Sequence, residues 1–292
     1  MTRPSVPDPS APRIIALHGF TGDAADFAPL RALAPGHWQW HCPDLPGHGT
    51  QSAAANFSLE HHLAYLEAQR RQFDATSTVD LASPSTILLG YSMGGRIALH
   101  WILKNPRAFR ALVLIGASPG IANARTRQTR RRSDAALAQR LTDKGLADFL
   151  ETWWSQPLFA GLQKNLRPEA LTALRDRRHR ANSARALVAS LLNVGTGTLP
   201  PLWKKLPMLP LPVLCITGAE DSKFSRVARR MCARLPNGTA ISIPGTHHLP
   251  HLENPALVAA QLNAFVTLNN HANRPNHVSG RSPPDVSACA NI

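Results

Sequence analysis

A mostly parallel β-sheet flanked by helices on both faces, with a helical insertion late in the chain, is the fold class this sequence predicts. Three observations predict it. Short apolar runs rich in β-forming residues alternate with helical stretches, the pattern of parallel strands joined by crossover helices. After Ser118-Pro119-Gly120 the alternation stops, and residues 121–206 carry helical patterns without a convincing strand. Between one apolar run and one helical stretch stands Gly90-Tyr91-Ser92-Met93-Gly94-Gly95-Arg96, a serine held between small residues.

The elements follow in order. Arg13-Ile14-Ile15-Ala16-Leu17 reads as a buried strand ending in His18-Gly19-Phe20-Thr21-Gly22. A helix is expected over 25–33, then a strand at Trp38-Gln39-Trp40-His41-Cys42, which ends at Asp44-Leu45-Pro46-Gly47-His48-Gly49. Ser58 caps a helix over 58–73. Ser85-Thr86-Ile87-Leu88-Leu89 is the strand before the serine, and a helix follows it to about Lys104. Ala111-Leu112-Val113-Leu114-Ile115 is the next strand. Beyond the insertion come a strand at Val213-Leu214-Cys215-Ile216-Thr217, a helix over 225–234, a strand at Ala240-Ile241-Ser242-Ile243 and a helix over 255–268. The expected division is a core of 13–118 and 208–268, a helical lid of 119–207, and flexible termini at 1–12 and 269–292.

Composition narrows the classes. The chain has 292 residues, 43% of them apolar, ordinary for a globular protein. No apolar run reaches the roughly 18 residues of a membrane span, and the start lacks a secretory core. The four cysteines are scattered, so neither a disulfide scaffold nor a metal site is expected, and a cytoplasmic location is; a monomer is expected as well. The net charge is +14, with arginines crowded in 125–132 and 175–185. These runs lack interleaved aromatics and no nucleic-acid motif accompanies them. Solvated helix faces, or a basic cleft that gathers a polyanionic small molecule, account for the charge without nucleic acid.

The chemistry starts at Ser92. Gly90-x-Ser92-x-Gly94 between strand and helix is the nucleophile elbow of the α/β-hydrolase fold, where the serine sits on a strained turn. The fold's other triad members follow along the chain as acid, then histidine. Asp221 stands just past a late strand, with Glu220 as a competitor. Past the last strand come His247 and His248; spacing to Leu252-Glu253-Asn254-Pro255 selects His248. His248 would take or relay the Ser92 proton while Asp221 fixes its tautomer. Backbone N–H groups of Met93 and Phe20 are the expected oxyanion hole. Arg96, four residues past Ser92, lies one helical turn on and on the same face, which suits an anionic substrate. His18 is read as shaping the first loop, His48 and His251 as loop and cap residues, and His61, His62 and His100 as helix-surface residues.

The combination resembles the 2-succinyl-6-hydroxy-2,4-cyclohexadiene-1-carboxylate synthases of menaquinone and phylloquinone (vitamin K) biosynthesis. The resemblance rests on the elbow, on Pro119-Gly120-Ile121 with the arginines up to Arg132-Ser133-Asp134, and on Trp153-x-x-Gln156-Pro157-Leu158-Phe159. Ala173-Leu174-Arg175, Gly195-Thr196-Gly197 and Asp221-Ser222-Lys223-Phe224 extend it. It implies an elimination: a lyase that uses the triad as a base and expels pyruvate from an enolpyruvyl ether, with no cofactor and no acyl-enzyme. It also implies Arg96, Arg130 and Arg175 as carboxylate-binding residues, and Tyr91, Trp153 and Phe159 as pocket walls. Arg127, Arg131 and Arg132 stand as alternatives to Arg130, and Arg177 and Arg178 as neighbours of Arg175. Three carboxylates call for several guanidinium forks, so the arginine-rich sequence suits a polycarboxylate substrate. The competing readings are an esterase or carbon–carbon bond hydrolase with the same triad, and a non-catalytic binder of acidic partners.

Overall fold

The computed structural model describes residues 11–53, 57–75 and 85–271. Six strands form one parallel sheet in the order β2-β1-β3-β4-β5-β6. They are β1 (Arg13–Leu17), β2 (Gln39–His41), β3 (Thr86–Tyr91), β4 (Ala111–Ile115), β5 (Val213–Gly218) and β6 (Gly238–Ile243). The four inner strands are buried at every residue, whereas β2 and β6 are partly exposed edges. That is why the inner strands read as unbroken apolar runs.

Side chains alternate across the sheet into two cores. Ile14, Ile87, Leu89, Val113, Ile115 and Ile216 face one side, and Ile15, Leu17, Leu88, Leu112, Leu114 and Cys215 the other. The second side is covered by α2 (Leu59–Ala75), α3 (Met93–Lys104) and α8 (Ser222–Cys232). The first is covered by α1 (Ala28–Leu33) and α10 (Pro255–His271), with the short α9 (Pro250–Glu253) packed at the end of the sheet.

The insertion holds α4 (Ala124–Trp154), α5 (Ala160–Asn165), α6 (Pro168–Ala181) and α7 (Ala184–Val194). Among the described residues of 121–206 there is no strand. Helix α4 is bent at Gly145, whose φ of 80° interrupts it. Phe149, Leu150, Trp154, Phe159, Leu162 and Leu187 of the insertion join the first core, so the insertion packs down on the sheet. Short elements escape the sequence pattern, among them α9 and the 3-10 turns Gly49–Gln51 and Pro106–Ala108, and the expected helix over 25–33 opens as the 3-10 turn Ala24–Phe27. Helix α10 runs on to His271, past the expected end at 268. Residues 1–10 and 272–292, most of the expected flexible termini, lie outside the described residues.

Candidate active site

The registers of the parallel strands bring their C-terminal ends together: Leu17 pairs with Gly90, Tyr91 with Ile115, and Ile115 with Ile216. Side chains just past β1, β3 and β5 therefore converge at one end of the sheet. Ser92 follows β3 with φ 49° and ψ −105°, a positive φ that only local constraint sustains in a residue with a side chain. Its amide donates to the Ile115 carbonyl at 2.9 Å, which anchors the turn. The flanking glycines are required by contact. A Cβ on Gly94 would lie 2.3 Å from the Leu17 carbonyl oxygen, and one on Gly90 would lie 2.6 Å from the Cα of Gly95. The elbow thus packs α3 against β1 at backbone distance.

Asp221 follows β5 and caps α8. Its Oδ1 accepts from the Phe224 amide at 3.1 Å, and its Oδ2 lies 2.8 Å from His248 Nδ1. His248 Nε2 lies 3.1 Å from Ser92 Oγ. A carboxylate only accepts, so Nδ1 carries the proton and Nε2 is free to accept from the serine hydroxyl. Asp221 is 7% exposed and His248 3%. Phe224 lies against the imidazole with ring centroids 4.5 Å apart, and Tyr91 at 5.5 Å. The arrangement can draw a proton from Ser92 and hold the resulting imidazolium. His247 turns elsewhere. Its amide donates to Glu253 Oε2 at 2.6 Å, and its Nδ1 lies 3.7 Å from the same oxygen. Glu220 is exposed, so of the adjacent acids only Asp221 reaches the imidazole.

A pocket opens over Ser92 and His248. Phe20 and Tyr91 come from the core, and Trp153, Leu158, Phe159 and Leu191 from the insertion. Trp153 packs edge-on to Phe20 at 5.2 Å and against Phe159 at 5.6 Å. Two guanidiniums line the same pocket, those of Arg96 and Arg130. Burial, and then repulsion from Arg130, lower the pKa of Arg96 to about 10, so it remains charged at neutral pH. Arg130 donates from Nε to Asp134 Oδ1 at 2.7 Å. Among the described residues, no three or more His, Cys, Asp or Glu side chains gather as a metal site would.

The model of the Alpha/beta hydrolase family matches residues 14–261. A 2-succinyl-6-hydroxy-2,4-cyclohexadiene-1-carboxylate synthase of Enterobacter sp. (strain 638) is 34% identical over 89% of this chain and 93% of its own. One from Serratia proteamaculans is 33% identical over 87% of this chain and 93% of its own. The chain belongs to the 2-succinyl-6-hydroxy-2,4-cyclohexadiene-1-carboxylate synthases. MenH from S. aureus superposes with a TM-score of 0.81 at 28% identity, over 88% of this chain and 94% of that one. A thermophilic esterase from Thermogutta terrifontis superposes with a TM-score of 0.74 at 21% identity, over 89% and 91% of the two chains, a likeness of fold alone.

Seen as a synthase of this family, the chain gathers most of its expected site residues in one place. Ser92, His248, Phe20, Met93, Arg96, Arg130, Tyr91, Trp153 and Phe159 all line the pocket, with Asp221 directly behind His248. Within the run 125–132, Arg127 instead donates to the Ile121 carbonyl at 3.0 Å, while Arg131 and Arg132 are exposed.

Arg175 is the exception. It is exposed and lines a separate groove with Glu151, Trp154, Asp176 and His179. Its neighbours on α6 face the core instead: Arg177 bonds Asp23 and Asp26, and Arg178 bonds Asp26. Arg175 stands outside the pocket because α6 turns residues 177 and 178, not 175, toward the sheet.

One histidine departs from the sequence reading. His62 is not on the surface: it is fully buried, and its Nδ1 donates to the Ser58 carbonyl at 2.9 Å. His251 is also fully buried, with its ring 4.5 Å from that of Tyr91. His18 shapes the first loop. Its Nδ1 donates to the Gly19 carbonyl at 2.8 Å and its Nε2 accepts from the Leu45 amide at 2.9 Å.

Sequence reasoning assigned no role to Asp134, Ser190 or Lys223, which also line the pocket. Asp134 and Lys223 stood inside quoted motifs. The usable signal was the i, i+4 spacing from Arg130 to Asp134 on a helix.

Proposed function

We propose that this protein eliminates pyruvate from 2-succinyl-5-enolpyruvyl-6-hydroxy-3-cyclohexene-1-carboxylate to give 2-succinyl-6-hydroxy-2,4-cyclohexadiene-1-carboxylate, a carbon–oxygen lyase step of menaquinone biosynthesis. The observation that carries the reading is the pair of guanidiniums, Arg96 and Arg130, in the pocket of Ser92 and His248. Arg130 is partly exposed and already meets Asp134, but Arg96 buries its Nε without a partner, and burying a cation is costly unless it meets an anion. An esterase acting on neutral acyl groups gains nothing from that cost, whereas a substrate with three carboxylates offsets it. The name shared by relatives at 33–34% identity supports the same reading.

The two chemical names fix the bond changes. The proton leaves ring carbon 2, and its electron pair forms the 2,3 double bond. The 3,4 pair moves to 4,5, and the bond from carbon 5 to oxygen breaks. Enolpyruvate departs and takes up a proton to become pyruvate. Carbon 2 bears the succinyl ketone, so the proton is α to a carbonyl and charge builds on the ketone oxygen as it leaves.

In this reading His248 draws the proton from Ser92, and Ser92 Oγ accepts the ring proton. Asp221 holds the imidazole in register and offsets its positive charge. The amides of Met93 and Phe20 receive the enolate oxygen, where fixed donors in a water-poor site act most strongly. Arg96 and Arg130 hold carboxylates, and Trp153, Tyr91 and Phe159 enclose the ring. The chain needs no cofactor for this chemistry, and it is read as a cytoplasmic monomer.

The test is direct. The purified protein is given the enolpyruvyl substrate, and pyruvate is followed by its reduction with lactate dehydrogenase and NADH. Pyruvate release that Ser92→Ala abolishes supports the lyase. Rapid aryl-ester hydrolysis with no pyruvate released hands the site to the esterase reading.

A further inference from the structure

The pocket lining contains three buried polar atoms without a partner. Two are donors, Nε of Arg96 and the indole N–H of Trp153. The third is an acceptor, Oδ2 of Asp134. Asp134 is 3% exposed, and its other oxygen is taken by Arg130. The pocket residue Gly195 closes on the free oxygen: a Cβ there would stand 2.9 Å from it. A buried polar atom left unpaired is costly, so one that lines a pocket favours a ligand group that pairs with it.

The three atoms ask for different groups. Carboxylates satisfy the two donors. They cannot satisfy Asp134, which would repel them. Only a donor on the ligand can, and a neutral hydroxyl is a donor that can lie beside a bound carboxylate. We infer that Asp134 accepts a hydrogen bond from a ring hydroxyl vicinal to a carboxylate, while Arg96 and Arg130 take that carboxylate. The pocket thereby contains a subsite for a β-hydroxy carboxylate. This rests on the proposed reading, whose substrate carries a 6-hydroxyl next to its 1-carboxylate. The subsite discriminates against rings that have lost the hydroxyl, because Oδ2 then stays unpaired.

The bland alternative is that Asp134 only orients Arg130. The two roles separate with paired probes, the isomers of 2-hydroxycyclohexane-1-carboxylate against cyclohexanecarboxylate, titrated calorimetrically into the wild-type protein, Asp134→Ala and Asp134→Asn. The wild type is expected to bind one hydroxy isomer about fivefold or more tightly than the deoxy acid. In Asp134→Ala that ratio is expected to fall below about twofold, whatever the common change in carboxylate binding. In Asp134→Asn, whose carbonyl oxygen stays with Arg130 and whose NH2 group replaces Oδ2, the acceptor facing the ligand is lost and the ratio is expected to fall at least about twofold. If Asp134→Ala does not fold, the Asn variant decides. A wild type that does not discriminate, an unchanged ratio in the variants, or equal losses on both probes overturns the inference. Pyruvate release by the wild type separately reports whether the parent reading stands.

Discussion

Arg178 and Asp26 form a buried ion pair between the helical insertion and the sheet: one guanidinium nitrogen lies 2.9 and 2.8 Å from the two carboxylate oxygens, and the side chains are 1% and 0% exposed. The other terminal nitrogen donates to Thr21 Oγ1 at 3.1 Å, and the guanidinium lies 4.8 Å from the centre of the Trp154 ring. Asn182 adds a bond to the Thr21 carbonyl at 3.0 Å. Thr21 has a φ of 63°, a left-handed conformation, and adjoins Phe20. Helix α6 therefore grips the loop whose amide is proposed to face the substrate oxyanion. Burial pushes the Asp26 pKa up, but Arg178 and then Arg177 outweigh it and hold it below the ordinary value.

Breaking this pair is expected to cost stability. Arg178→Ala leaves a buried carboxylate with only Arg177, a loss of about 3–5 kcal/mol if the remaining charge finds no water. Arg175→Ala, three residues earlier on α6 but exposed, is expected to stay within about 0.5 kcal/mol. Urea unfolding of both variants checks the contrast. Equal midpoints would mean the pair is not holding the insertion down.

The proposed base is tested by single side chains. Ser92→Ala is expected to lower kcat by roughly 10²–10⁴-fold, the range of acid–base groups, with the fold intact. His248→Ala is expected to do at least as much, since it leaves the serine without a partner at 3.1 Å. His247→Gly is expected to keep most of the activity, because the contact to Glu253 that orders this loop comes from the backbone amide. Single-turnover pyruvate release on the three variants decides. A dead His247→Gly beside an active His248→Ala would exchange their roles.

The fold was legible because each inner strand is buried on both faces and so written as an unbroken apolar run. The elbow was legible because Gly90 and Gly94 leave no room for a Cβ. His248 could be chosen over His247 by its spacing to Pro255 alone. The arginines were harder. From 125–132 and 175–180 the sequence offers many equivalent cations, and the facing of each depends on helix rotation against partners far along the chain. Arg177 and Arg178 find Asp23 and Asp26, over a hundred residues earlier, and no local pattern announces that pairing. His62 was misplaced for a related reason: an imidazole is polar in composition and still packs in a core once one nitrogen is bonded.

Buried histidines also set the acid limit of stability. Burial lowers the pKa of His251 to about 3 and of His100 to about 4, and it lowers those of His18, His48 and His62 as well. Near pH 6.5 and below, the unfolded chain binds protons that the folded one refuses, so stability falls as pH drops toward the folded values. Each fully buried ring contributes up to about 1.4 kcal/mol per pH unit in that window. Asp23 opposes the trend, because burial raises its pKa, while Asp26 adds to it at lower pH. The Tm is expected to be flat from pH 8 to 7 and to fall by roughly 10 °C between pH 6.5 and 5. Calorimetric scans across that range check it, and a flat Tm down to pH 5 contradicts neutral burial of these rings.

Charge recognition separates a polycarboxylate lyase from an esterase, and here the structure predicts a graded order. Arg96 and Arg130 line the pocket, Lys223 stands exposed at its edge, and Arg175 lies outside it. Removing a guanidinium that meets a carboxylate in a desolvated cleft costs about 2–5 kcal/mol. Arg96→Ala and Arg130→Ala are therefore expected to lower kcat/KM for the enolpyruvyl substrate by roughly tenfold to a thousandfold, at about 1.4 kcal/mol per decade. Lys223→Ala is expected to lose only about two- to tenfold, because an exposed charge is screened, and the loss should shrink at high salt. Arg175→Ala is expected to change little. On an uncharged aryl ester all four variants should behave nearly alike, since that reaction calls on Ser92, His248 and the oxyanion amides only. Steady-state kinetics on both substrates, at low and high ionic strength, tests the order. Equal losses on the two substrates would make Arg96 and Arg130 supports of the fold. A large, substrate-specific loss in Arg175→Ala would mean that the insertion moves on binding and carries its outer face to the substrate.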